Sequence, residues 1–174
     1  MTKTLLVFPS NREDFLVAGK FLLFFLISFI ALDAIVNLIP LELFEAMFAA
    51  PTNFILNLLG FESSMQSGEP VLIFLKDFNF PIAISYLCTG LLEWIVLCST
   101  LVASSEVNAK KRMIGLVGAT VFVFLFNLTR ILASILFIVF FGLSFAEFSH
   151  DVFFRVFLFF SIAGFYFFWL KNNA

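Results

Sequence analysis

The stretch MIGLVGATVFVFLFNLTRILASILFIVFF, residues 113–141, is the feature of the chain that decides its fold class. As one straight helix it would be ~45 Å long, whereas the hydrocarbon core of a bilayer is ~30 Å thick. Its apolar character is interrupted at Asn127, Thr129 and Arg130, which predicts a break at this point. Residues 131–141 would then run along the outer interface or re-enter from it. The stretch predicts a membrane protein.

The composition of the whole chain agrees with that class. The 174 residues are 62% hydrophobic and include 29 Phe, and the mean hydropathy is +1.09. A chain this short and apolar cannot enclose its hydrophobic surface in one soluble core. The net charge of -2 provides no basic stripe for phosphates, so nucleic acid is not an expected partner. We expect one domain over residues 1–174.

Three further segments are apolar and long enough to cross a bilayer, which makes four predicted spans. They are residues 21–41, 82–103 and 152–170. The first follows lysines but has no small-x-small cleavage site, so we interpret it as a retained span and not as a signal peptide. The predicted fold class is an all-α integral membrane protein with about four transmembrane helices, interfacial or re-entrant helices and a short outer β-hairpin.

Basic residues predict the orientation of these spans, because cytoplasmic loops are enriched in Lys and Arg. Seven cations flank the spans on what would be one side of the membrane: Lys3, Arg12, Lys20, Lys110, Lys111, Arg112 and Lys171. Acidic residues dominate the opposite side. We therefore expect a multi-pass protein of the cell membrane with both termini in the cytoplasm.

The long connection between the first two spans, residues 42–81, changes its pattern halfway. Its first half mixes acidic and apolar positions and contains Pro51, which favours a broken helix at the membrane interface. Its second half has two short runs of branched and aromatic residues, 71–75 and 80–84, which predict an outer β-hairpin leading into the second span.

The two cysteines are expected to be free thiols. Cys88 and Cys98 are ten residues apart on one predicted helix, ~15 Å along its axis, and a disulfide tolerates only ~7 Å between Cα atoms. The chain has no CxxC motif and no Cys/His cluster, so no structural zinc site and no cofactor is predicted.

Three spans bring reactive side chains to a similar depth. Counted from the predicted cytoplasmic ends of their spans at ~1.5 Å per residue, Cys88 and Arg130 lie at ~25 Å and His150 at ~31 Å. A thiol, a guanidinium and the single imidazole of the chain would therefore meet near the outer edge of the hydrocarbon. We predict a site at this level.

The chemistry of these groups is that of a cysteine nucleophile. Cys88 attacks as a thiolate, which a neighbouring cation stabilises, and His150 exchanges protons near neutral pH. Arg130 could stabilise the thiolate or the oxyanion of a tetrahedral intermediate. Asp151 could orient the imidazole. Asn127 could donate to the oxyanion or hold the guanidinium.

Structural interpretations of the same residues remain open. Arginine within a span costs ~2.5 to 3.5 kcal/mol on insertion scales, so Arg130 needs a partner, and Glu93 or Asp33 could pair with it as a clasp between helices. Glu93 is ~140° round the predicted helix from Cys88, which is a supporting position. Cys98 has no polar neighbour at its depth and is expected to be an inert small hydrophobe.

Three motifs resemble those of a known family. YLCTGLLEW at residues 86–94, FNLTRIL at 126–132 and HDVFFRVF at 150–157 occur in an order and spacing similar to the exosortase and archaeosortase membrane transpeptidases. The resemblance covers residues 70–169. One departure is Thr89, where a serine commonly follows the cysteine in the family.

The resemblance implies a substrate and a site. Family members recognise secreted proteins with a C-terminal sorting signal, made of a short motif, a transmembrane helix and a basic tail. They cleave on the outer side and transfer the acyl group to an acceptor, in archaeal cases thought to be a membrane lipid. By motif, Cys88 corresponds to the nucleophile, Arg130 to the family's arginine and His150 to the third residue. That third residue is an arginine in some members, so Arg155 also fits.

The sequence therefore predicts a membrane cysteine transpeptidase whose site is Cys88, Arg130 and His150, with support from Asn127, Glu93, Asp151 and Arg155. One alternative is a non-catalytic assembly factor or scaffold held by intramembrane ion pairs. Another is a subunit of a proton-coupled transporter, although four spans without inverted repeats are few for a transport path.

Overall fold

A computed structural model describes residues 12–76 and 78–173; for Arg12, Glu13, Asp14, Asp151, Phe153 and Arg155 it describes the backbone alone. The described part is mostly helical, with a small sheet. The helices are α1 (Arg12–Val36), α2 (Leu41–Leu58), α3 (Leu91–Ala103), α4 (Ala109–Phe141), α5 (Leu143–Phe148) and α6 (Phe154–Asn173). The strands are β1 (Ser63–Gln66), β2 (Val71–Leu75) and β3 (Ile82–Ile84). Lys3, one of the predicted cytoplasmic cations, lies outside the described residues.

The predicted break in the long apolar segment is wrong. α4 is one continuous helix of 33 residues that passes through Asn127 and Arg130. Its polar side chains bond to the helix's own carbonyls, because the Asn127 amide donates to Val123 at 3.0 Å and the Thr129 hydroxyl to Leu125 at 2.8 Å. Bonds to the residue four positions earlier leave the helical ladder intact, so no re-entrant segment forms at residues 131–141.

The second predicted span does not start at residue 82 as a helix. Residues 82–84 are strand β3, Tyr86–Cys88 form a 3₁₀ turn, and α3 begins only at Leu91. Gly90, with φ of 69°, separates the turn from the helix in a left-handed conformation that glycine adopts without strain. Cys88 and Cys98 are therefore not on one helix, although both are free thiols as predicted.

The connection between the first two spans is more ordered than predicted. α2 is a single helix with Pro51 inside it, so the expected break is wrong. The predicted hairpin is confirmed, since β2 and β3 are antiparallel with Val71 opposite Ile84, and β1 adds a third strand in the order β1-β2-β3. α2 supports this sheet through Glu45, a buried carboxylate that accepts a hydrogen bond from the Val71 N–H at 3.0 Å.

Two of the described helices are long and apolar enough to cross a membrane, namely Phe15–Val36 and Ala109–Phe141. α3 is apolar but has 13 residues, ~20 Å, which is shorter than the hydrocarbon core. α6 covers most of the fourth predicted span. These helices favour a membrane protein, and the number of spans and their orientation stay predictions.

Candidate functional site

Cys88 lies where the sheet passes into the helical part of the molecule. It ends the 3₁₀ turn after β3, and its N–H donates to the Ser85 carbonyl at 2.8 Å. Its thiol lies 3.6 Å from the Ser85 hydroxyl and is hydrogen-bonded to the side chain of His150. The structure thus joins two of the predicted site residues directly.

The surroundings of the thiol favour its ionised form. Burial raises the pKa of Cys88, but the hydrogen bonds from His150 and Ser85, together with the electrostatic effect of His150, lower it. The net result is a Cys88 pKa below its ordinary value. A thiolate is therefore more available here than at an isolated cysteine, which is the condition for nucleophilic attack.

Arg130 is the third predicted residue, and it reaches the backbone of the same turn. The side chain is buried, and one terminal guanidinium nitrogen donates to the carbonyl oxygens of Leu87 and Cys88, both at 3.1 Å. This contact was not predicted. It ties the turn that bears the thiol to the middle of α4, so Arg130 positions Cys88.

The predicted ion pairs of Arg130 are wrong. Asp33 accepts hydrogen bonds from Asn37, directly after the end of its own helix, and neither Asp33 nor Glu93 forms an ion pair within residues 12–76 and 78–173. Glu93 lies in the first turn of α3 and faces α6 in a separate cavity, with Ile162 and Tyr166. It is not in the cavity of Cys88, because the chain turns at Gly90 between the two residues.

Asn127 supports the turn by shape. Its side chain is fully buried and packs against Gly90, where an added Cβ would lie 2.0 Å from the Asn127 amide nitrogen. A glycine is thus required at position 90 both by its positive φ and by this contact. The amide donates to Val123, so the predicted roles of Asn127 at the oxyanion or the guanidinium are not the contacts that the structure gives it.

His150 belongs to a π-helical turn, Ser149–Phe153, between α5 and α6. Such turns occur frequently at functional sites. Hydrophobic periodicity does not reveal such turns, so the sequence-based prediction for His150 relied only on its estimated depth in the membrane. The backbones of Asp151 and Arg155 lie in this turn and at the start of α6, and their side chains, with the roles predicted for them, lie outside the described part.

Cys88 and His150 line one cavity of about 210 Å³. Its walls come from β3, α4 and α5 and are mainly aliphatic. Two polar residues of this lining were missed by the sequence analysis, Ser134 on α4 and Glu147 on α5. Glu147 precedes His150 by three residues, and this spacing near a candidate histidine is the signal that could have identified it.

Comparisons with known protein families, with curated proteins and with solved structures find no match for this chain. Its function is therefore inferred from its own residues and from the motif resemblance. Among the residues that the structure describes, no group of three or more His, Cys, Asp or Glu could hold a metal ion.

Proposed function

We propose that this chain is a membrane-embedded cysteine peptidase or transpeptidase of the exosortase and archaeosortase type. The observation that supports it most is the hydrogen bond between the Cys88 thiol and His150 inside a shared cavity. A nucleophile within hydrogen-bond reach of a proton acceptor is the minimal arrangement for covalent acyl transfer. The three family motifs contribute to one site around this pair.

The reaction has two halves. The Cys88 thiol transfers its proton to His150, and the sulfur attacks the carbonyl carbon of a peptide bond to form a tetrahedral intermediate. The C–N bond then breaks, His150 gives the proton to the leaving amine, and a thioester remains on Cys88. An acceptor nucleophile attacks this thioester and releases the thiol.

Arg130 has a positioning role in this scheme. Its two hydrogen bonds to the carbonyls of Leu87 and Cys88 fix the backbone on which the sulfur is mounted. Small errors in the position of a nucleophile lower the rate strongly, because the reacting atoms must approach to about 3–3.5 Å. Asn127, which lies one turn before Arg130 on α4, packs against Gly90 directly after the same 3₁₀ turn.

We place the site near the outer face of a cell membrane that the chain crosses four times, with both termini in the cytoplasm. The substrate is a secreted protein with a C-terminal transmembrane sorting signal, and a membrane lipid is the candidate acceptor. This assignment rests on the distribution of basic residues and on the family resemblance.

The test is to isolate the acyl-enzyme. The sample is a membrane preparation that contains this chain and a co-expressed exported protein with a C-terminal sorting signal. Adducts are mapped by mass spectrometry before and after treatment with hydroxylamine, which cleaves thioesters. We expect a hydroxylamine-labile adduct on Cys88 that is absent from Cys88→Ala and unchanged in Cys98→Ala. Processing that continues in Cys88→Ala would contradict the proposal.

The scaffold alternative has less support. It relied on Arg130 pairing with Asp33 or Glu93, and the geometry gives neither carboxylate an ion pair within the described ranges. The transporter alternative depended on the same carboxylates.

A further inference from the structure

Strand β3 lies at the edge of the sheet. The strand order is β1-β2-β3, and within the described residues β3 pairs with β2 alone. A strand with one neighbour leaves half of its backbone N–H and C=O groups without a ladder partner. In a membrane protein such groups are costly wherever water is scarce, so they favour a polar partner.

The cavity at Cys88 runs along this edge. Ile82, Ala83 and Ile84 all line it. Successive side chains of a strand point to opposite faces of the sheet, so a cavity that contacts three consecutive residues lies beside the strand and not above one face. Ala83, the central residue of the strand, is exposed.

The same cavity leads to the reactive pair. Cys88 follows Ile84 by four residues, and residues of α5 together with His150 line the same cavity. A segment that lay along β3 in this cavity would therefore share it with the sulfur. The walls are mainly aliphatic side chains, including Ile131, Ile135 and Leu143, so they favour apolar side chains in that segment.

We propose that the free edge of β3 binds an extended, apolar peptide segment as an added strand and presents its carbonyl carbon to Cys88. This inference rests on the proposed function and names the substrate's binding mode. A lipid chain does not fit the edge as well, because hydrocarbon offers no hydrogen bonds to the strand's unpaired backbone groups. Strand addition derives its affinity from main-chain bonds and its specificity from pockets for alternate side chains.

The test uses peptide chloromethyl ketones on the full-length protein in detergent. The thiolate displaces chloride and forms a carbon–sulfur bond, so mass spectrometry gives the rate of labelling at Cys88. The probes are acetylated tetrapeptides of apolar residues, either unmodified or N-methylated at one position at a time. N-methylation removes one hydrogen-bond donor, and in an added strand alternate N–H groups face the neighbouring strand.

We expect the labelling rate to fall about fivefold for N-methylation at every second position and to change little at the positions between, because a single hydrogen bond contributes ~0.5 to 1.5 kcal/mol. Equal effects at neighbouring positions, or no effect, would overturn strand addition.

Chloroacetamide, which has no peptide, separates this inference from the proposed function. If His150→Ala slows the reaction of chloroacetamide with Cys88 but the peptide probes show no alternation, the role of Cys88 as nucleophile is supported and peptide binding at the edge of β3 is contradicted. If His150→Ala does not slow it, the proposed function fails and the binding mode fails with it.

Discussion

The guanidinium of Arg130 donates a hydrogen bond to the carbonyl oxygen of Cys88 at 3.1 Å, and the same nitrogen bonds to the carbonyl of Leu87. A buried arginine thus satisfies part of its hydrogen-bonding capacity on the backbone of the turn that carries the thiol. The guanidinium therefore helps to hold that turn in place. Its removal should disturb Cys88 even though the two described hydrogen bonds go to backbone atoms.

Arg130→Lys should slow alkylation of Cys88. Lysine keeps the charge, but its side chain is shorter, so its ammonium group does not reach the position of the guanidinium nitrogen that bonds both carbonyls. Hydrogen bonds from charged groups contribute ~1.5 to 3 kcal/mol, so we expect a rate loss of about tenfold or more and a lower melting temperature. The rate is measured by mass spectrometry after timed exposure to chloroacetamide.

Arg112→Lys is the matched control for this substitution. Arg112 also donates to a backbone carbonyl, that of Val102 at 3.1 Å, but it does so at the N-terminal end of α4, away from Cys88. It should leave the alkylation rate unchanged. Equal losses in the two variants would show that Arg130 has no special effect on the thiol.

Gly90→Ala should disrupt the site, and Asn127→Ala should partly restore it. The added Cβ meets the Asn127 amide and also sits at a positive φ. Removing the amide relieves the first of these and not the second. Because contacting residues couple by ~0.5 to 3 kcal/mol, the double variant should be more stable than Gly90→Ala alone in thermal unfolding.

Gly60→Ala isolates the backbone strain. Gly60 has φ of 90° and nothing within 4 Å of an added Cβ. Gly60→Ala should lower the free energy of unfolding by ~1 to 2 kcal/mol through backbone strain alone. Adding Asn127→Ala should not restore this loss. Rescue of both glycine variants to the same extent would contradict the steric contact between Gly90 and Asn127.

Ser85→Ala should shift the reactivity of Cys88 to higher pH. The hydrogen bonds from Ser85 help to lower the pKa of Cys88, so loss of the hydroxyl should raise that pKa. Since the thiolate is the reactive form, the alkylation profile should move to higher pH. Ser134→Ala is the control, because the Ser134 hydroxyl lines the same cavity but donates to the Arg130 carbonyl.

Glu45→Ala should destabilise the fold without a specific effect on the thiol. The buried carboxylate accepts the Val71 N–H, and its removal leaves that donor unsatisfied at a cost of ~1 to 3 kcal/mol. Glu42→Ala in the same helix is the control, since Glu42 makes no hydrogen bond or ion pair within the described residues. Equal thermal stability of the two variants would show that the contact to β2 contributes little.

The sequence predicted that Cys88 and His150 lie close together, but not the elements that bring them together. Depth counting brought Cys88 and His150 to one level even though it assumed that Cys88 lies on a continuous helix. In the structure a strand and a 3₁₀ turn lead to Cys88 instead, and the thiol still lies within hydrogen-bond reach of His150. The predicted position of Glu93 relative to Cys88 was wrong, because the angle between two residues around a helix applies only when both are on that helix. Gly90 separates Cys88 from the helix that contains Glu93.

Polar residues in α4 misled the prediction of a break for a related reason. Asn127 and Thr129 were interpreted as interruptions, but both side chains bond to carbonyls four residues earlier in the same helix. A sequence does not reveal whether a polar side chain bonds within its helix or beyond it. The Arg130 contact was missed because every residue has a backbone carbonyl, so the residue types do not indicate which carbonyls of a 3₁₀ turn accept a hydrogen bond.

The most direct test of the central claim is the pH dependence of chloroacetamide alkylation at Cys88, compared between the Cys98→Ala protein and the same protein with His150→Ala. The bond and the electrostatic effect of His150 lower the pKa of Cys88, so the thiolate should persist to lower pH when His150 is present. We predict that His150→Ala moves the midpoint of the profile to higher pH and slows alkylation at neutral pH. Superimposable profiles would contradict the pairing of Cys88 with His150 and, with it, the proposed cysteine transpeptidase.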